Sequence, residues 1–333
     1  MSKKSQKKVK LSQKTLLIKR ASFFLFGLSL FFFPSNNWIS RIRITPLGDS
    51  SVEVLGFNNP KVYDYPQFKG GEMPFDVSAV SVFLIDRDSG VVLFSKNEER
   101  KLLPASTVKI MTALVSLEHY NLEDVLRVRD SFSNGQDVGF KKGELVSVDD
   151  LLSALLISSA NDAAMILAGH YPGGTEAFVK RMNSKAGELN LANSYFANPT
   201  GLDSDEEGKL FNDFSYSTAA DLAVLARFAI LDESFLKIAS TSYQQISDLG
   251  NSVSHSLYNI NLLLGSLPGT KGIKTGWTEE AGECFVGYVE RDGRGIISVV
   301  LKSNDRFGET RRLIDWAFDN FSWQEFESAS LGQ

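Results

Sequence analysis

The stretch "ECFVGYVERDGRGIISVVLKS", residues 283–303, reads as two strands joined by a turn. "ECFVGYV" (283–289) and "IISVVLKS" (296–303) are rich in β-branched and aromatic residues, and "ERDGRG" separates them as a hairpin turn does. Just before it, "GIKTG" (272–276) reads as one more strand. Near the other end, "SAVSVFLIDRDSGVVLFSK" (78–96) repeats the form, broken from Asp86 to Gly90. Between these ends the chain is mostly helical. "SVDDLLSALLIS" starts on a Ser147 cap, and "TEAFVKRMNSKAGEL" is amphipathic. "STAADLAVLARFAI" opens on Ser217 or Thr218 with Asp221 in its first turn, and "ETRRLIDWAFDNF" is a closing amphipathic helix. Strands from both ends with helices between them imply an α+β fold: an antiparallel sheet packed by terminal helices, plus an inserted helical lobe. The groove between sheet edge and lobe is the expected place for a site.

One helix has an odd member. In "KLLPASTVKIMTALVSLE" (101–118) the residues after Pro104 are apolar nearly all round, the pattern of a helix buried in a domain centre. Lys109 sits in its first turn, where the helix dipole and burial both disfavour a cation. Ser106 lies three residues earlier, on the same face.

The composition bounds what such a chain does. Its 333 residues, 43% hydrophobic, are enough for one large or two ordinary domains. The lone Cys284 excludes an internal disulfide framework and a cysteine zinc site. His119, His170 and His255 are scattered, which argues for surface or capping residues rather than a metal centre, so neither metal nor cofactor is expected. Residues 1–43 carry ten Lys or Arg and no acid, leaving 25 basic against 40 acidic side chains in the rest, near −15. Such a body lacks the basic footprint of a nucleic-acid binder.

The basic head (1–20) precedes "ASFFLFGLSLFFF", thirteen uncharged residues from Ala21 to Phe33, extendable to Ile39. Short for a membrane span, the run suits the apolar core of an export signal. "PSNNWIS" is a poor cleavage site, so residues 21–39 read as an uncleaved signal anchor, with a cleaved signal peptide as the alternative. The positive-inside rule leaves the head in the cytoplasm and the body outside the membrane. Residues 44–75, with Pro46, Pro60, Pro66 and Pro74, read as a stem with at most short strands.

Three short motifs stand in order. Ser106-x-x-Lys109 starts the apolar helix, Ser159-Ala-Asn161 lies between two helices, and Lys274-Thr275-Gly276 lies on a strand. Ser5/Lys8, Ser234/Lys237 and Ser35/Asn37 match the spacings without the contexts, whereas Lys-Thr-Gly occurs once. A serine hydroxyl is inert at neutral pH without a base within hydrogen-bond reach. With no Ser-His-Asp arrangement or Gly-x-Ser-x-Gly elbow in view, a lysine has to be that base. Burial, the helix N-terminus and a second cation such as Lys274 each favour its neutral amine. The bland alternative has Ser106 capping a helix while Lys109 snorkels to solvent.

With this trio and the longer runs "FKKGELVSVDDLLSALLISSANDAA", "MNSKAGELNLANSYFANPTGL", "YSTAADLAVLARFAI", "GIKTGWTEEAG" and "ETRRLIDWAF", the chain resembles the serine D-Ala-D-Ala carboxypeptidases. These are low-molecular-mass penicillin-binding proteins of the β-lactamase/transpeptidase-like superfamily. The resemblance covers about residues 76–323, the expected catalytic domain, with 324–333 as a tail. It implies a five-stranded antiparallel sheet with a helical lobe. It also implies that Ser106 attacks the carbonyl between two D-alanines, with Lys109 as general base and Ser159 relaying a proton. Asn161 is implied to hold the substrate amide, and Lys274, Thr275 and Arg306 its terminal carboxylate. Backbone N–H groups of Ser106 and Trp277 would form the oxyanion hole beside Gly276. The implied partners are peptidoglycan stem peptides ending in D-Ala-D-Ala, β-lactams as covalent inhibitors, and the membrane through the N-terminal segment. Many relatives continue into a C-terminal β-rich domain and an amphipathic membrane-binding helix, so attachment here is expected to fall to the N-terminal segment.

Three rivals stand beside that reading. A class A β-lactamase carries a deacylating glutamate three residues before a Leu-Asn pair, and counting back from Leu189-Asn190 lands on Ala186. An endopeptidase acting on D-alanyl cross-links uses the same machinery. A non-catalytic penicillin-binding sensor could lose Lys109 or Ser159, and both are present.

Overall fold

A computed structural model of the chain describes residues 64–71, 76–203, 214–250 and 252–324. The basic head, the apolar segment, most of the stem and the tail beyond 324 lie outside the described residues. In chain order the strands are β1 (Tyr65–Phe68), β2 (Ser81–Asp86), β3 (Val92–Lys96), β4 (Val125–Arg127), β5 (Leu145–Ser147), β6 (Tyr243–Ser247), β7 (Ser254–Tyr258), β8 (Thr270–Thr278), β9 (Gly282–Arg291), β10 (Arg294–Ser303) and β11 (Phe321–Gln324). The α-helices are α1 (Lys109–His119), α2 (Val148–Ile157), α3 (Asn161–His170), α4 (Gly174–Glu188), α5 (Ala219–Ala229), α6 (Glu233–Ala239) and α7 (Arg306–Asn320).

Five strands form one antiparallel sheet in the order β3-β2-β10-β9-β8, as the sequence implies. Residues 283–303 are its centre. The β9–β10 turn is Asp292-Gly293, with φ of 49° and 75°, the double positive φ that a two-residue type I′ turn requires. Neighbouring positions on β10 serve different cores. Ile297, Val299 and Leu301 face the helical lobe, whereas Ile296 and Val300 meet Leu313, Ile314 and Ala317 of α7. A sheet covered on both faces explains why β10 reads as a continuous apolar run rather than an alternation. Burying Leu313 and Ile314 contributes about 1.5–3 kcal/mol each.

The lobe is built around α1, buried from Lys109 to Ser116 and packed against α2, α3, α4 and α5. Ser147 caps α2 by accepting from Asp150 N, and Thr218 caps α5 by accepting from Asp221 N, each at 3.1 Å. α7 starts three residues before the expected Glu309, because the Asp305 carboxylate accepts from Gly308 N at 2.9 Å and starts the helix there. β1 pairs with β11, tying part of the Pro/Gly-rich stretch to the end of α7. Trp323 Nε1 donates to Asp86 Oδ1 at 2.7 Å beside this pair.

The histidines divide. His119 is exposed in the last turn of α1, and His170 ends α3 with Nδ1 2.9 Å from Ile166 O, positions that fit the surface or capping expectation. His255 departs from the surface expectation: it is buried, with Nε2 2.9 Å from Glu144 Oε2 and Nδ1 3.1 Å from Val138 O. The cause is tertiary, since β7 packs against residues 138–144.

Candidate active site

β8 is an edge strand, and the turn before α1 packs against it. That turn is one turn of 3-10 helix, Ala105–Val108, which sets Ser106 just ahead of α1 and three residues before Lys109. Ala105 is held at φ 48°, a left-handed conformation that costs a non-glycine residue about 1 kcal/mol or more. Two glycines let the neighbouring segments close on it. A Cβ on Gly276 would stand 3.0 Å from Pro104 O and 3.1 Å from Ser106 N, and one on Gly201 would run into the Ala105 carbonyl.

Lys109 is 0% exposed, so the snorkelling alternative fails. Its Nζ lies 3.0 Å from Ser106 Oγ and donates to Asn161 Oδ1 at 2.6 Å and to Thr200 O at 2.7 Å. Burial, then the nearby Lys274 cation, lower its pKa well below the ordinary lysine value, while Asp162 opposes them. A neutral amine has two N–H groups and one lone pair. The two protein acceptors take the N–H groups, so the lone pair is left toward Ser106.

The junction of α2 and α3 brings the second motif. Ser159, at φ 61°, turns its Oγ to accept from Lys274 Nζ at 2.8 Å. Lys274 is itself buried in β8, and burial followed by the Arg306 charge lowers its pKa to about 7. Asn161 opens α3. Its Nδ2 donates to Asn134 O at 2.7 Å and its backbone N to Gln136 O at 2.7 Å. A carboxamide nitrogen has a second N–H, so one donor is left for a ligand.

A third group of contacts lies on the far wall. Arg306, at the start of α7, donates from Nη1 to Gly276 O at 2.7 Å. Among the described residues its Nε has no partner, and neither does Thr275 Oγ1, which is only 2% exposed. A buried polar group without a partner is costly, and two on one wall suit an anionic ligand with acceptor oxygens. Ser106, Ser159, Asn161, Thr275, Gly276, Trp277 and Arg306 all line one cleft of about 630 Å³, and Lys109 and Lys274 lie beneath it. Trp277 stands at the rim, 62% exposed. All nine residues singled out in the sequence therefore converge.

Several contributors escaped sequence reading because their contacts are made with backbone groups. Thr200 offers its carbonyl to Lys109 from a turn in which Asn198 Oδ1 accepts from Gly201 N at 2.7 Å. The run Asn198-Pro199-Thr200-Gly201 is a turn signal that could have found it. Asp162 accepts from Gly139 N at 2.9 Å and Phe140 N at 3.1 Å, fixing the loop that carries Asn134 and Gln136. Ala186, where a deacylating glutamate was sought, is buried in α4 and is not among the cleft's lining residues.

The chain is similar to several known proteins. The family model of D-alanyl-D-alanine carboxypeptidases matches residues 68–305. The D-alanyl-D-alanine carboxypeptidase DacF of Bacillus subtilis is 35% identical over 253 residues, covering 73% of this chain and 63% of the relative. The chain thus spans less than two-thirds of that relative's length. A D-alanyl-D-alanine endopeptidase of Pseudomonas aeruginosa is 31% identical over 265 residues, covering 75% of this chain and 78% of the relative. The crystal structure of the Streptomyces K15 DD-transpeptidase superposes with a TM-score of 0.66 at 27% identity, covering 73% of this chain and 98% of that one. With the motif trio assembled in one cleft and a family model spanning most of the chain, the chain belongs to the D-alanyl-D-alanine carboxypeptidase family.

Proposed function

We propose that this chain is a serine DD-carboxypeptidase that removes the terminal D-alanine from peptidoglycan pentapeptides. The observation that carries the reading is the buried Lys109 amine, 3.0 Å from Ser106 Oγ, with its pKa held well below the usual lysine range. As Ser106 Oγ attacks the carbonyl between the two D-alanines, its proton passes to the Lys109 lone pair. The oxyanion is held by the backbone N–H groups of Ser106 and Trp277. Collapse breaks the peptide bond, and the leaving amine takes a proton relayed through Ser159, which Lys274 contacts at 2.8 Å. Water then attacks the Ser106 ester and frees the shortened peptide. Thr275 Oγ1, Arg306 and Lys274 receive the terminal carboxylate, and the free N–H of Asn161 holds the amide before it. The substrate lies outside the cytoplasmic membrane, so export and anchoring by residues 21–39 belong to the same reading. β-Lactams acylate Ser106 as covalent inhibitors.

Cleavage of D-alanyl cross-links is the second reading, favoured by the Pseudomonas relative's endopeptidase name. One experiment tests both. The full-length protein is incubated with a pentapeptide ending in D-Ala-D-Ala and, separately, with a cross-linked muropeptide, and released D-alanine and cleaved dimer are measured. D-Alanine release that disappears in Ser106→Ala is expected. No release from the wild type, or undiminished release from the variant, would sink the carboxypeptidase reading; cleavage of the dimer alone would establish the endopeptidase.

A further inference from the structure

His255 is buried, and no step of the reaction uses it. It stands on β7, a strand that touches two parts of the active-site wall. At the end of β7, Tyr258 O accepts from Ser158 Oγ at 3.4 Å, next to Ser159, and Ile260 two residues later lines the cleft. In the middle of the strand, His255 meets residues 138–144. The Val138 carbonyl only accepts, so the network puts a hydrogen on Nδ1, which donates to it at 3.1 Å. Nε2 lies 2.9 Å from Glu144 Oε2, and Glu144 Oε1 accepts in turn from Lys141 N at 2.8 Å. The Phe140 ring packs on the imidazole, with the centroids 4.7 Å apart. A ring bonded at both nitrogens and packed against a neighbour is fixed in orientation. What it holds is the loop around Asn161. Asn161 Nδ2 donates to Asn134 O and its backbone N to Gln136 O, each at 2.7 Å. The fit is close, since a Cβ on Gly135 would stand 3.0 Å from Asn161 Nδ2. Asp162 accepts from Gly139 N, and His255 donates to Val138 O. The peptide joining Val138 to Gly139 is thus tethered at both its N–H and its oxygen, from α3 and from β7.

We propose that His255 is a positioning residue for the acylation of Ser106. By fixing the Val138–Gly139 peptide it keeps the carbonyls of Asn134 and Gln136 in place, and these aim the Asn161 carboxamide at Lys109 and at the substrate. The inference rests on the carboxypeptidase reading and adds to it a residue that touches neither substrate nor nucleophile. Without the imidazole the peptide keeps its Asp162 tether and is free to swing about it. The Gln136 carbonyl, two residues away, moves with that swing. Asn161 follows, and its Oδ1 is one of the two acceptors that orient the Lys109 amine. A small displacement far from the reacting bond is enough to misplace a catalytic group.

Two substitutions separate the ring's two contacts. In His255→Asn the amide nitrogen takes the place of Nδ1, so the bond to Val138 O survives and the link to Glu144 is lost. In His255→Gln the amide reaches Glu144 and leaves Val138 O without a donor. The full-length wild type and both variants are labelled with a fluorescent penicillin. The labelled fraction at saturation counts folded sites, and the quantity read is the second-order rate per labelled site. His255→Gln should slow that rate about ten- to a hundredfold, the effect of misplacing a catalytic group by about 1 Å. His255→Asn should stay within about threefold of wild type. A residue that serves stability alone would lower the labelled fraction in both variants and leave the rate per site unchanged. That outcome, or a His255→Asn as slow as His255→Gln, overturns the proposal and leaves the carboxypeptidase reading in place. Unfolding of either variant, followed by circular dichroism, overturns it too, because it assigns the ring to stability. A wild type that takes no label removes both readings.

Discussion

At the scale of the residue, Lys109 and Lys274 are two buried amines with different surroundings. Lys109 has two acceptors for its N–H groups and a serine for its lone pair. Replacing it with Met keeps the length and removes the base, and leaves Asn161 Oδ1 and Thr200 O without their donor. Acylation of Ser106 by a fluorescent penicillin should slow by about 10²–10⁴-fold, the usual worth of a positioned general base; a rate within tenfold of wild type would remove Lys109 from that role. Lys274 is the more accessible to titration. Its amine carries a proton up to the ordinary value of 10.5 when unfolded and only up to about 7 when folded. Between those values the unfolded chain holds a proton that the native chain lacks, so this group's contribution to stability rises with pH from about 7 to about 10.5 and is lost on acidification. Urea midpoints for wild type and Lys274→Met should therefore separate in favour of wild type as the pH is raised through that window. Curves that stay parallel would mean that Lys274 is not depressed in the native state.

At the scale of the element, the site is an agreement among turns. Ser106 stands on a 3-10 turn, Ser159 on a helix–helix junction, and Thr200 on an Asx-stabilised turn, and each has a left-handed residue in or beside it: Ala105, Ser159 and Gly201. Gly201 is the member with no room for a side chain. In Gly201→Ala the new methyl meets the Ala105 carbonyl, so the turn must back away and withdraw the Thr200 oxygen from Lys109. A stability loss of about 1–3 kcal/mol by chemical denaturation is expected, with penicillin acylation slowed at least tenfold in the protein that folds. Normal acylation would show that the Thr200 carbonyl is dispensable. Asp162 works on the opposite wall. Asp162→Ala leaves the N–H groups of Gly139 and Phe140 without their acceptor and should cost about 2–4 kcal/mol, and protease cutting within residues 134–140 should become faster than in wild type. An unchanged cutting rate would mean that the loop is held by other contacts.

At the scale of the molecule, the chain closes on itself. Strands from both ends share one sheet, and β1 with β11 fastens the edge where Phe68, Trp316, Phe321 and Trp323 gather. Ending the chain after Asn320 removes β11 and the indole donor to Asp86. The melting temperature should fall by about 5–10 °C, while the Ser106 acylation rate at low temperature stays near that of the longer chain, because this edge lies apart from the cleft. A lost acylation rate with an unchanged melting temperature would reverse that assignment. Much of this architecture was legible in the residues. The two hairpins, the Ser147 and Thr218 caps, the buried α1 and the order of the three motifs are written in local periodicity and in bonds spanning three or four positions. Those signals act over a single turn or strand, so the sequence by itself determined the elements, their order and the chemistry-bearing side chains. Tertiary structure alone decided the rest. Lys109 meets Asn161 from 52 positions away and Thr200 from 91, and Lys274 meets Ser159 from 115. His255 was drawn into the interior beside Glu144. The charge state of a buried amine depends on which oxygens and cations surround it, and only the closed fold brings those groups within a hydrogen bond of one another.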